Sequence, residues 1–271
     1  MTDTTATTLT LDVPTSTSLV PLRVADRGSG RPVLLLHGGA GPTSVAPLAE
    51  ALTASYPVRV VTPVHPGFDG TPRPEGVGSV GDLADAYVAL LDVLGLEGVT
   101  VVGSSLGGWV AAEVALRHSP RVAAVVLVGS VGLADDADPI ADFFALDLDE
   151  VVERSYHPAH RDAARAALAA MPEAARALVP GNRAALLAYG GATMADPTLR
   201  ARLTGVTVPV RVLWGAHDRI VPPSHGRGYA EAVPGATLRV LDEAGHLPPV
   251  EVPEVVAADV WAFAGVHPPA R

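Results

Sequence analysis

With 271 residues, 48 % of them hydrophobic, the chain has enough apolar side chain to bury a core in one large domain or two small ones, and its longest apolar run, residues 122–128, falls far short of the roughly 20 residues a bilayer-spanning helix needs. The lack of cysteine excludes disulfides, a thiolate nucleophile and cysteine metal sites, and because all 19 basic side chains are arginine, a lysine Schiff base and a P-loop lysine are excluded too. A net charge of -10 argues against a nucleic-acid partner, whose phosphates need a basic patch.

The chain opens on MTDTTATTLTLDVP, a Thr-rich lead without the basic start and apolar run of a signal peptide, so a cytoplasmic location is expected. Residues 9–12 and 18–24 predict an antiparallel pair at one sheet edge. Short β-branched runs then predict strands at 33–36, 58–62, 99–102, 122–128, 208–213 and 237–241. They alternate with segments of helical period, the pattern of a mostly parallel sheet flanked by helices on both faces. Ser79, with Asp82 three residues on, starts a helix by capping, and Leu83, Tyr87, Leu90, Leu91 and Leu94 fall on one of its faces. Further helices are predicted at 111–118 and at 254–263, the latter opened by Pro253. From about 133 to 204 the alternation stops. An acidic run, LADDADPIADFFALDLDE, leads into alanine-rich helical pieces broken at Pro172, Pro180-Gly181 and Gly190-Gly191. This stretch reads as a helical insertion into a core made of 1–132 and 205–271.

The chemistry starts at Gly103-Ser104-Ser105-Leu106-Gly107, a G-x-S-x-G sequence with the strand VTVVG before it and the helical GGWVAAEVA after it. In that setting the glycines permit a tight strand-to-helix turn, which exposes Ser105 as a nucleophile at a helix N-terminus. A serine hydroxyl needs a base, and the base needs a carboxylate to orient it. His246, in LDEAGHLPP between the last strand and the last helix, is the predicted base. Asp218, in VLWGAHDRIVPP after the preceding strand, is the predicted acid, with Asp135 and Asp136 as alternatives. Asp242 and Glu243 are too close in sequence to His246 to partner it. The oxyanion requires two N–H donors: Leu106, directly after the serine, and Gly39 in His37-Gly38-Gly39-Ala40-Gly41, with Ala40 as the alternative. Among the other histidines, His37 is expected to brace its loop, His217 to shape the loop of Asp218, and His118 to sit near a helix C-terminus. His225 and His267 are expected at the surface. His157 and His160 have metal-like spacing in HPAH but no third ligand nearby, and no metal is expected.

LLLHGGAGP, HPGFDGTPRP, GSSLGGW, WGAHDRIVPP and EAGHLPPVEVPE stand in the order, and at about the separations, found in capped α/β-hydrolases. The chain resembles that family over nearly its whole length except 133–204, where such proteins carry a variable cap. The resemblance implies the α/β-hydrolase fold, a mostly parallel central sheet flanked by helices with a helical cap insertion. It spans esterases, lactonases, cofactor-free haloperoxidase-like enzymes and hydrolases of carbon-carbon bonds in ring-cleavage products. Val64 and His65 depart from the Asp-Leu pair of many relatives, and Ser104 from a common His or Asn. Serine at 105 separates the chain from the epoxide hydrolase and dehalogenase branches, which use aspartate there. The expected reaction is hydrolysis of a small or medium apolar ester or lactone through an acyl-enzyme on Ser105, without a cofactor. Phe143 and Phe144 are expected to bind substrate, in an apolar lid with Leu146, Leu186 and Tyr189. Alternatives are carbon-carbon cleavage of a diketone-like substrate, or a non-hydrolytic cyclase or ligand-binding protein. A small-molecule substrate is the one partner expected, and oligomeric state is left open.

Overall fold

Alternation with period two sends successive side chains of a strand to opposite faces, and here both faces are apolar. In the computed structural model, which describes residues 6–16 and 18–266, Val33 and Leu35 enter one core while Leu34 and Leu36 enter the other. The strands are β1 (Thr7–Pro14), β2 (Leu19–Gly28), β3 (Arg31–Leu36), β4 (Val58–Pro63), β5 (Val99–Ser104), β6 (Val122–Val128), the short β7 (Gly132–Leu133) and β8 (Ala195–Asp196), then β9 (Val210–Gly215) and β10 (Thr237–Leu241). Eight of them form one sheet in the order β1-β2-β4-β3-β5-β6-β9-β10. Only β1 with β2 and β2 with β4 run antiparallel; the first of these pairs is the one expected from the runs at 9–12 and 18–24. The Thr-rich lead is strand already from Thr7, its first five residues and His267 lying outside the described residues.

Helices α1 (Ala46–Ser55) and α10 (Pro253–Val266) cover one face of the sheet, with the short α9 (Pro248–Glu251) beside them. Helices α2 (Val80–Val93), α3 (Leu106–Ala115) and α8 (Pro223–Ala232) cover the other. The capping box of Ser79 and Asp82 forms as predicted. Helix α3 does not begin at residue 111. It begins at Leu106, directly after Ser105, because Gly107 and Gly108, which read as poor helix formers, are the residues that let it lie against the sheet. A Cβ at Gly107 would stand 2.3 Å from the Leu36 carbonyl oxygen. His118 falls beyond the helix in a turn with φ 51°, near Thr207.

Residues 133–204 are helical as expected, with α4 (Leu148–Ser155), α5 (Arg161–Ala169), α6 (Glu173–Gly190) and α7 (Leu199–Arg202). The two-residue parallel pair β7–β8, missed in the sequence, joins the two ends of this segment. Helix α4 opens on a second capping box, Asp147 with Glu150, hidden within the acidic run. Pro172 and Gly191 do bound α6, but Pro180-Gly181 does not break it. Pro180 removes one i to i-4 bond, and that part of the helix is exposed, so water can serve the freed carbonyl. Packing of the later half, described below, holds the rest. Among the described residues no helix is long and apolar enough to cross a membrane.

Candidate active site

Ser105 is itself the turn between β5 and α3, with φ 55° and ψ -115°, a conformation costly for a residue with a side chain. Hydrogen bonds on both sides hold it. Its N–H donates to the Val128 carbonyl at 3.0 Å, and its carbonyl accepts from Gly108 at 3.0 Å and Trp109 at 3.2 Å. A Cβ at Gly103 would lie 2.0 Å from the Gly107 carbonyl oxygen, so only glycine allows strand and helix to meet this closely.

The loop after β10 carries His246 to this turn. Its Nε2 lies 3.0 Å from Ser105 Oγ, and its Nδ1 lies 2.8 Å from Asp218 Oδ2. Asp218 Oδ1 accepts from the N–H groups of Ile220 at 2.9 Å and Val221 at 2.8 Å, which turns Oδ2 toward the imidazole. All three side chains are buried. Asp135 and Asp136 instead line a separate groove with Asp142, and Asp242 and Glu243 are exposed.

His37 and His65 form a buried pair whose hydrogen bonds determine both tautomers. His37 Nε2 accepts the His65 N–H at 3.0 Å, so its proton sits on Nδ1, which donates to the Gly38 carbonyl at 2.7 Å. His65 Nε2 donates to the His37 carbonyl at 2.8 Å, leaving Nδ1 to accept from the Tyr87 hydroxyl. Burial pushes the His65 pKa down to about 4, and burial, with His65 close by, lowers His37 well below the usual histidine value. Both rings are therefore neutral braces. The Gly38 carbonyl also accepts from Gly41 at 3.1 Å. In a trans peptide the next N–H points opposite to that carbonyl, so capture of the carbonyl orients the Gly39 N–H. Among the described residues neither Gly39 nor Ala40 N–H has an acceptor, and Leu106 N–H, at the first position of α3, has none within its helix. Hydrogen-bonding capacity is therefore left over at all three N–H groups.

Above Ser105 and His246 lies a cavity walled by Val131, Ile140, Phe143, Leu168, Leu186 and Ile220, among others. No Asp, Glu, Lys or Arg is among its lining residues. Phe143 lines it and Phe144 does not: as consecutive residues their side chains diverge, and Phe144 packs edge-on against Phe143. Leu186 stands directly over Gly39, where a Cβ would meet it at 2.7 Å. Its helix is clamped there by Asn182, which accepts the Asp69 N–H at 2.7 Å, and by Tyr189, which donates to the Pro66 carbonyl at 2.9 Å. The positions 182, 186 and 189 share one helical face, a signal that the alanine-rich composition obscured.

The remaining histidines divide. His217 is exposed and its N–H holds the Ala244 carbonyl. It lies edge-on to His157, which neighbours His160, yet among the described residues no group of three metal-binding side chains forms. His225 is not at the surface. It is buried under the 134–142 loop, bonded to the Asp138 carbonyl at 2.7 Å, because α8 packs that face against β9.

Eight strands in this order, with a strand-serine-helix turn at the carboxyl edge, make the α/β-hydrolase fold. The alpha/beta hydrolase family matches the chain over residues 33–259, and the protein belongs to that family. It is 34 % identical over 242 residues to a pimeloyl-[acyl-carrier protein] methyl ester esterase of Aromatoleum aromaticum, covering 82 % of this chain and 93 % of that one. It is 30 % identical over 261 residues to a 2-hydroxymuconate semialdehyde hydrolase of Pseudomonas putida, covering 88 % of each. The solved structure of a thermophilic esterase from Thermogutta terrifontis shares the fold with a TM-score of 0.77 at 24 % identity, covering 97 % of this chain and 100 % of that one.

Proposed function

We propose that the protein is a serine hydrolase that cleaves a small or medium uncharged carboxylic ester or lactone through an acyl-enzyme on Ser105. The observation that carries this reading is the unbroken line from Asp218 Oδ2 through His246 to Ser105 Oγ, at 2.8 and 3.0 Å. Ser105 Oγ attacks the carbonyl carbon as its proton passes to His246 Nε2, and the oxyanion is received by the N–H groups of Leu106 and Gly39. Collapse expels the alcohol, which takes the proton from His246. Water then attacks the acyl-enzyme with His246 again as base. No cofactor enters the scheme. In this reading 133–204 is a cap on a core of 1–132 and 205–271, and the setting is the cytoplasm, with which a cysteine-free chain is compatible.

The cavity wall supports an uncharged substrate, since a carboxylate taken from water into an apolar pocket needs a compensating cation. That weighs against the second reading, cleavage of a carbon-carbon bond, which the likeness to a hydrolase of a muconate semialdehyde keeps in view because such a substrate carries a carboxylate. Turnover of p-nitrophenyl esters, with ring-fission carboxylates as competitors, separates the two. The absence of any turnover in folded protein would favour a non-hydrolytic role.

A fluorophosphonate probe is expected to label Ser105, because an activated serine beside an oxyanion site attacks phosphorus as it does a carbonyl. Peptide mapping that finds the label on Ser104, or nowhere, removes the assignment. Phe143→Ala is expected to change relative kcat/KM between short and long acyl esters by about 1 to 3 kcal/mol, and Phe144→Ala to change it less. Melting curves must accompany both, since the two rings are half-buried against the core and truncating them removes packing as well. Equal chain-length preference in parent and folded Phe143→Ala would make this residue simple packing.

A further inference from the structure

We propose that Glu251 is a positioning residue for His246: its carboxylate closes a ring of hydrogen bonds that fixes the histidine loop relative to Ser105 and ties it to the end of α4. This rests on the reading of Ser105 and His246 given above. Glu251 Oε1 accepts the N–H of Gly245 at 2.9 Å and of Leu247 at 3.1 Å, the residues on either side of His246. Its Oε2 accepts the N–H of His157 at 2.7 Å. The N–H of His246 itself goes to the carbonyl of Ser155, two residues before His157. Three consecutive backbone N–H groups of the histidine loop are thus held, two by Glu251 directly and one by a carbonyl whose neighbour Glu251 holds. The close approach is exclusive, because a Cβ at Gly245 would stand 2.2 Å from the Ser155 carbonyl oxygen.

Glu251 does not line the cavity, so it acts through the loop and not on the substrate. Burial raises its carboxyl pKa above the ordinary value in spite of the three donors. A carboxyl that binds its proton more tightly in the folded state contributes most to stability at acid pH, and that contribution declines as pH rises through the folded value. At neutral pH the charge is therefore held at a cost to the fold, and its geometric effect on the histidine is what it supplies in return.

The two substitutions separate the arms of the ring. In Glu251→Gln the amide oxygen still accepts from Gly245 and Leu247, while the amide NH2 opposes the His157 N–H, a donor facing a donor. Glu251→Ala loses both arms. Turnover per fluorophosphonate-titrated site is expected to fall about tenfold in Glu251→Gln and about a hundredfold in Glu251→Ala, the scale of a small misplacement of a reacting group. KM is expected to stay within about threefold, and the melting temperature of Glu251→Gln at pH 7 to stay near the parent's. If both variants keep per-site turnover within about threefold, or if KM moves as much as kcat, Glu251 is not a positioning residue. Should Glu251→Ala fail to fold, Glu251→Gln decides by the same criteria. Failure of the underlying reading is distinguishable: the parent protein would then itself escape labelling at Ser105, and the proposal would fall with it.

Discussion

Asp218→Asn is expected to lower kcat by about three to four orders of magnitude while the fold stays intact. The reason lies in which oxygen does what. Asp218 Oδ1 is committed to the N–H groups of Ile220 and Val221, so an asparagine keeps its carbonyl oxygen there and turns its NH2 toward His246 Nδ1. The imidazole must then present a lone pair at Nδ1 and carry its proton on Nε2, the nitrogen 3.0 Å from Ser105 Oγ. A donor stands where the base is needed. Shape and the two backbone contacts are kept, so the melting temperature is expected to change little. Steady-state kinetics beside a melting curve test this, and a drop of tenfold or less would show that the histidine takes its orientation from elsewhere.

Between about pH 6.5 and 4 the folding stability is expected to fall by on the order of 3 kcal/mol on account of His65. Burial holds the His65 pKa at about 4 in the folded protein, against about 6.5 in an unfolded chain. Because the folded value is depressed, the contribution is complete above the unfolded pKa and is lost as pH falls toward the folded one. His37, also lowered by burial, acts in the same direction. Urea titrations at several pH values, compared with His65→Gln, measure the effect of His65 together with its influence on His37, since Glu251 and the titrating groups away from this pair are common to both proteins and cancel in the difference. The carboxylates held low by hydrogen bonds and arginines, such as Asp196 and Asp259, release their stability below this window. A His65→Gln protein with the parent's pH slope would show that His65 is not the buried titrating group.

Local pattern carries far along this chain. The run VTVVG, the glycines around Ser105 and the helical residues after them are contiguous, so the strained turn is readable without coordinates, as are the strands whose alternating side chains enter two cores. The order of serine, aspartate and histidine was readable for a related reason: each follows a strand of a parallel sheet, and parallel strands bring their carboxyl ends to one edge. The run GGWVAAEVA read as helical directly after Ser105, while the bounds 111–118 started α3 late because glycine is a poor helix former in isolation; here its missing side chain is what lets the helix approach β3. Phe143 and Phe144 could not be told apart, since nothing local says which of two neighbours faces a cavity.

Residue types and spacing by themselves pointed to the main strands, the helical nature of 133–204, and the serine, the histidine and a short set of candidate acids. Only the tertiary structure decided that Asp218, and not Asp135 or Asp136, stands behind His246, that His225 is buried, that α6 runs through Pro180 to press Leu186 over Gly39, and that Glu251 reaches His157 across 94 positions of chain. Periodicity and turn chemistry act over a few residues and leave their mark in sequence. A hydrogen bond between distant segments depends on how whole elements pack, and the carboxylate that makes it looks, in the sequence, like any other acidic residue.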